Sequence, residues 1–208
     1  MNKNPGIYQL RRIVHRKLWW KDADMAAVDN FPWGSLDKDD YRPVTSAYAA
    51  NDDQSLFVYM ETDETELRAE TKDFDYVHTD SCMEFFLSPE PESSRQYINW
   101  EFNPIGGMHL AIGTCRHDRT LIPEENYRKF FQIKTTTHAA GWNLEFCIPL
   151  AFLRRYFPSM EFNHPMRGNF YKCGDKTPRP HFGCWSPIDL GKSDFHCPDY
   201  FGALIFKT

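Results

Sequence analysis

The stretch SCMEFFLSPEPESSRQYINWEFNPIGGMHLAIG, Ser81 to Gly113, decides the fold. SCMEFFLSP and QYINWEFNP are separated by the polar EPESSR, and the second run ends in NPIGG, whose proline and two glycines suit a turn into MHLAIG. Successive side chains of a strand take opposite faces. In Gln96 to Asn103, Ile98, Trp100 and Phe102 therefore share one face, and Tyr97, Asn99, Glu101 and Asn103 the other. The first set is core. The second is a row of donors and acceptors spaced about 7 Å along the strand. A solvated sheet face is the plain reading of such a row, but the row contains no Lys or Arg. In SCMEFFL, Glu84 alternates with Cys82 and Phe86 on one face. A carboxylate among apolar neighbours requires a partner: an arginine, a metal or a ligand hydroxyl.

The same period of two continues outward on both sides. Val44 to Ala50 and Ser55 to Glu61 flank NDDQ and read as a hairpin. Further strands are expected at Phe131 to Thr137, Trp142 to Ile148, Asn169 to Cys173 and Tyr200 to Phe206. Helical signal is confined to Pro123 to Phe131 and Pro149 to Tyr156, where proline suits a first turn. Short strands punctuated by Gly and Pro, without regular crossover helices, predict an all-β antiparallel sandwich of the immunoglobulin or jelly-roll kind with one or two short helices. No linker-like run divides the 208 residues and no repeat recurs, so one domain over 1–208 is expected.

Composition narrows the partners. The net charge of −5 offers no general attraction to a polyphosphate backbone, which argues against nucleic acid. No apolar run approaches the roughly 20 residues that span a bilayer. The opening MNKNPGIYQLRRIVHRKLWW lacks the apolar segment of a signal peptide, giving a cytoplasmic expectation, or an extracellular or periplasmic one if a leader has been removed. Six cysteines at 82, 115, 147, 173, 184 and 197 form no CxxC, and those within strand-like runs are expected to be free thiols. Aromatic residues reach 16%, an excess that asks for a use.

FGCWSPIDLG, Phe182 to Gly191, offers one: Trp185 stands among loop-forming Gly, Ser and Pro, either tucked inward or presented to something flat. At this point LWWKDADMAAVDNF, DSCMEFFLSP, YINWEFNPIGG, GWNLEFCIPLAFL, GNFYKCGD, CWSPI and FHCPDYFGALIF together resemble, in order along nearly the whole chain, the family 9 carbohydrate-binding modules and their DOMON-related β-sandwich relatives. The resemblance implies non-catalytic saccharide binding between two aromatic rings, with amides, carboxylates and an arginine on the hydroxyls. Trp185 matches one clamp tryptophan. Tyr76 or His78, in DFDYVHTDSCMEFF, stands near the place of the second. Glu84 matches the acidic strand position, Glu101 and Asn103 fall near hydrogen-bonding positions with Asn99 beside them, and Asp175 closes a polar segment.

Cofactors are not required by this reading. Some family members hold a structural calcium, for which NDDQ and DETE supply carboxylates without EF-hand spacing. Two alternatives stay open: a glycoside-active enzyme using Glu84 and Glu101 as a carboxylate pair, and a haem or redox-binding sandwich drawing on Met and His.

Overall fold

Asp52 shows how local chemistry sets the first hairpin. Its carboxylate accepts hydrogen bonds from the backbone N–H of Gln54 (3.2 Å) and Ser55 (2.9 Å), while Asp53 takes the left-handed conformation (φ 67°), so the chain reverses within NDDQ. The NPIGG turn uses Gly106 in the same way (φ 75°). In the computed structural model, residues 5–34 and 38–207 are described, and among them the chain is mostly strand. The strands are β1 Ile7–Arg12, β2 Met25–Ala27, β3 Thr45–Asn51, β4 Ser55–Thr62, β5 Cys82–Ser88, β6 Tyr97–Phe102, β7 Met108–Cys115, β8 Asp118–Leu121, β9 Lys134–His138, β10 Gly141–Pro149, β11 Met166–Cys173, β12 Phe182–Cys184 and β13 Gly202–Lys207. Two short helices, α1 Tyr127–Phe130 and α2 Leu150–Tyr156, fall where the prolines pointed.

The strands join in the order β8-β7-β6-β5-β11-β13-β1-β3-β4-β10-β9, with β12 on β11 and β2 on β3. Laid flat, β6 and β10 would stand roughly 34 Å apart at the usual inter-strand spacing. Instead the rings of Phe102 and Phe146 lie 4.7 Å apart, so the sheet curls until its two arms face each other across one core. Pairing is antiparallel except at the seam, where β1 runs parallel to both β13 and β3. This corrects the all-antiparallel expectation: β1 needs no crossover helix because almost the whole chain intervenes between Ile7 and its partner Ala203.

Within that core lies a closed polar knot. Lys172 is fully buried, and its ammonium reaches Glu64 (2.8 Å), His181 Nε2 (2.9 Å) and the carbonyl of Cys173 (2.9 Å). Glu64 also accepts from Ser81 (2.9 Å) and the Trp142 indole (3.4 Å). Burial raises the Glu64 carboxyl, but Lys172 and then His181 outweigh it and hold the group below its ordinary value. Burial, followed by the Lys172 charge, holds the His181 imidazole down to about 3.

Candidate functional site

The alternation read from β6 places its residues as expected. Ile98, Trp100 and Phe102 enter the main core, and Tyr97, Asn99 and Glu101 face the other way. That second face is not wet. Phe86, Tyr171, Ile188, Phe195 and Phe201 form a smaller apolar cluster over it, folded down by the segment after β12. Glu84 and Glu101 are consequently each only 2% exposed, and they stand directly opposite each other on β5 and β6.

Where this cover ends, a cavity of about 130 Å³ opens onto both carboxylates. His78 and Asp175 line it from the loops before β5 and after β11, and Trp33, Phe182 and Phe195 supply aromatic surface. Two arginines of the β7–β8 hairpin complete its charged lining. Arg119 lies 3.5 Å from Glu101, and Arg116 pairs with Asp194 at 3.1 Å. The Trp33 indole donates to the Leu190 carbonyl (2.8 Å), which fixes the ring beside Phe195, 5.6 Å away.

Electrostatics separates the ionisable groups. Burial first, then the adjacent Glu101 charge, push Glu84 well above the ordinary carboxylate value, while Arg119 and Arg116 pull the other way. Burial lowers His78 despite Glu101, 3.9 Å from its Nδ1. Burial likewise takes His196 well below its usual value, with Arg119 and Arg116 adding to the effect. His196 stacks on Phe86 and shares a hydrogen bond with the Tyr97 hydroxyl (2.9 Å). Burial therefore shifts both histidines toward the neutral form.

The structure gathers four of the expected residues, Glu84, Glu101, His78 and Asp175, around this cavity. Asn99 stands behind it, donating to Glu101 Oε1 (2.9 Å), with its own Oδ1 buried and without a hydrogen-bond partner among the described residues. Asn103, also buried, lies away from it. Its amide spans the Thr71 carbonyl (2.8 Å) and Asp80 (2.9 Å), and its oxygen accepts from Gly107 N–H (2.7 Å), so it braces the turn after β6. Tyr76 is 69% exposed and touches only the edge of His78, at 5.8 Å, outside the cavity.

Trp185 is the main correction of geometry. It does not share a cavity with Glu84 and Glu101. On β12, Phe182 and Cys184 face the site cluster, so the next residue points to the opposite side of the sheet. There the Trp185 ring packs edge-on against Phe170 (5.7 Å) and Tyr8 (6.1 Å). Gly6 and Gly202 lie so close over it that a Cβ on either would fall 2.6 or 2.5 Å from the ring. Trp33 occupies the cavity wall instead. The signal for it was present: FPWGS sets Trp33 between Pro32 and Gly34, the same surroundings that drew attention to Trp185.

The calcium loops do not gather a donor set. Asp52 and Asp53 are engaged by Arg16 and Arg12, and Glu64 of DETE belongs to the buried knot. Among the described residues no group of three or more His, Cys, Asp or Glu is placed to hold a metal ion.

A sequence profile of carbohydrate-binding family 9 matches residues 13–206. The chain belongs to carbohydrate-binding family 9. Among solved structures, this family 9 chain is similar to a Bacteroides uniformis protein described as a candidate carbohydrate-binding protein, with 27% identity, a TM-score of 0.81, and 98% of this chain and 100% of that one covered. It shares its fold with a family 9 module from Caldicellulosiruptor kristjanssonii solved with cellotriose (14% identity, TM-score 0.66, 97% and 94% covered). The corresponding complex with glucose gives 14% identity and a TM-score of 0.65, with 97% and 96% covered. None of the curated proteins matches the chain. Among the described residues of this family 9 chain, no helix is long and apolar enough to cross a membrane.

Proposed function

We propose that the chain acts as one unit, a two-layered sandwich of the immunoglobulin or jelly-roll kind, that binds a saccharide without transforming it, in the cavity beneath Trp33. One observation carries the reading: in a member of this family, aromatic surface from Trp33, Phe182 and Phe195 meets buried Glu84 and Glu101 and the arginine Arg119 in a single opening. The C–H face of a pyranose stacks on an aromatic plane, while Glu84, Glu101, Arg119 and Asp175 address its hydroxyls. His78 adds a second ring, Asn99 holds Glu101 in place, and Tyr76 and Asn103 frame the loops around them. The family 9 relatives solved with glucose and cellotriose support this class of ligand. Each sugar hydrogen bond replaces one to water and nets about 1 kcal/mol, so the expected affinity is micromolar or weaker.

Isothermal titration with mono- and oligosaccharides tests the reading. Trp33→Ala is expected to weaken binding at least about tenfold with a smaller loss of thermal stability than Trp185→Ala. Trp185→Ala is expected to cost about 3 kcal/mol of stability, the lower end for a truncated tryptophan because the ring is half-buried against the core, with sugar affinity retained below its melting temperature. Loss of affinity in Trp185→Ala but not in Trp33→Ala would reverse the assignment. A glycosidase reading is favoured by one feature, the cross-strand Glu84–Glu101 pair with the Glu84 carboxyl raised by burial and by Glu101. Reducing sugar released from polysaccharide and abolished in Glu84→Gln would establish it over binding alone.

A further inference from the structure

The cavity's charges do not balance. Arg119 is matched to Glu101 at 3.5 Å and Arg116 to Asp194 at 3.1 Å, which accounts for both of the cavity's arginines. Glu84 and Asp175 remain, and neither has an ion-pair partner among the described residues. The lysine of the strand beside Glu84, Lys172, points into the opposite side of the sheet, toward Glu64. His78 and His196 face the same space but are both shifted toward the neutral form. The two thiols nearest Glu84, Cys82 on its own strand and Cys173 on β11, are pushed well above their ordinary value by burial, with the Glu84 charge adding to it. The thiols carry no positive charge in either form, and burial disfavours the charged form of both histidines. An almost completely buried carboxyl thus borders the cavity without an ion pair of its own among the described residues, while Arg119 and Arg116 are paired elsewhere and act on it only through space.

We propose that this site selects amino sugars: a protonated amine on the ligand takes the place of the missing cation opposite Glu84, with Asp175 as a second acceptor. The inference rests on the saccharide reading above and specifies its ligand class. It also fixes a proton balance. In the free protein, burial and the Glu101 charge raise the Glu84 carboxyl and favour its neutral form. When the ammonium enters, the carboxyl gives its proton to the buffer and the carboxylate pairs with the amine, which keeps its own proton. Neutral sugars bind to the protonated acid and release nothing.

The test is titration calorimetry of the intact chain at pH 6.5, where the amine of the ligand is charged, with sugars carrying the amine on C2 or C6, their neutral parents, and N-acetylglucosamine as the uncharged amide. At least one amino sugar is expected to bind about tenfold or more tighter than its parent, and the amide no tighter than the parent. Repeating the titration in buffers of different ionisation enthalpy is expected to show proton release for the amino sugar alone. Glu84→Gln, checked for folding by its melting curve, is expected to remove both the preference and the release, so that the amino sugar binds no tighter than its neutral parent. If neutral sugars bind and no amino sugar exceeds its parent, the charge argument is overturned and the saccharide reading stands. If no sugar of either kind binds, both fall.

Discussion

Glu64 and Glu84 are both carboxyls with almost no exposure; Glu64, in the loop after β4, meets the side of β11 that carries Lys172, and Glu84 stands beside Tyr171, which points the other way. Glu64 has everything a buried charge needs: an ammonium, a serine hydroxyl and an indole N–H within hydrogen-bonding reach. Glu84 has a like charge across the strand and a cavity in front of it. Register alone separates the two cases. On β11, Tyr171 stands opposite Glu84 and Lys172 opposite Met83, so the lysine one position along serves the core and is unavailable to the other face. A buried charge whose partners all come from the protein holds the fold together, whereas one left incomplete asks for a ligand.

The largest effect that tests this contrast is expected from Lys172→Ala. It strands Glu64 without its cation and should cost about 3–5 kcal/mol, read from urea unfolding. Replacing the pair together, in Glu64→Gln/Lys172→Met, should recover most of that loss. A single variant as stable as the parent would show that the knot is not the structural partner of the contrast. The smaller, opposite effect belongs to Glu84→Gln, which should gain on the order of 1 kcal/mol at pH 8 by removing an unmatched acid.

The signs with pH differ as well. Glu84 is raised in the folded state, so its contribution is fully present below the unfolded value of roughly 4.3 and declines as pH rises through the folded value. Glu84→Gln should therefore match the parent in acid and exceed it in base. Glu64 is lowered, so its contribution is present above roughly 4.3 and disappears as pH falls. The smallest expected effect follows: the acid limb of a melting-temperature profile becomes shallower in the Glu64→Gln/Lys172→Met double variant. A Glu84→Gln profile parallel to the parent's at every pH would contradict the raised carboxyl.

Strand parity was the readable part. It gave the inward Ile98, Trp100 and Phe102, the outward Glu84 and Glu101, and the hairpin around NDDQ, because a period of two needs only local sequence. The site was half readable for the opposite reason. Trp33 and Trp185 both sit among turn-forming residues; the side of β12 that Trp185 follows sends it toward the core, and the bridge between Asn30 and Cys184, a non-local pairing, brings the Trp33 segment to β12. Arg119 reaches Glu101 from the short β8, which folds back along β7 and carries no apolar alternation to announce it. The parallel β1 escaped for the same cause: six residues of ordinary pattern do not reveal a partner at the far end of the chain.

That seam also sets a timetable for assembly. β1 is the strand through which the two arms of the sheet are joined, since Arg11 is in register with Lys207 on one side and Ala50 on the other. During synthesis, β3 and β4 can zip as soon as they leave the ribosome, but β1 must keep one edge unsatisfied until residue 207 has been made. Closure of the curled sheet therefore carries an entropic toll set by the long stretch between Ile7 and Ala203, the kind of contact that makes folding slow.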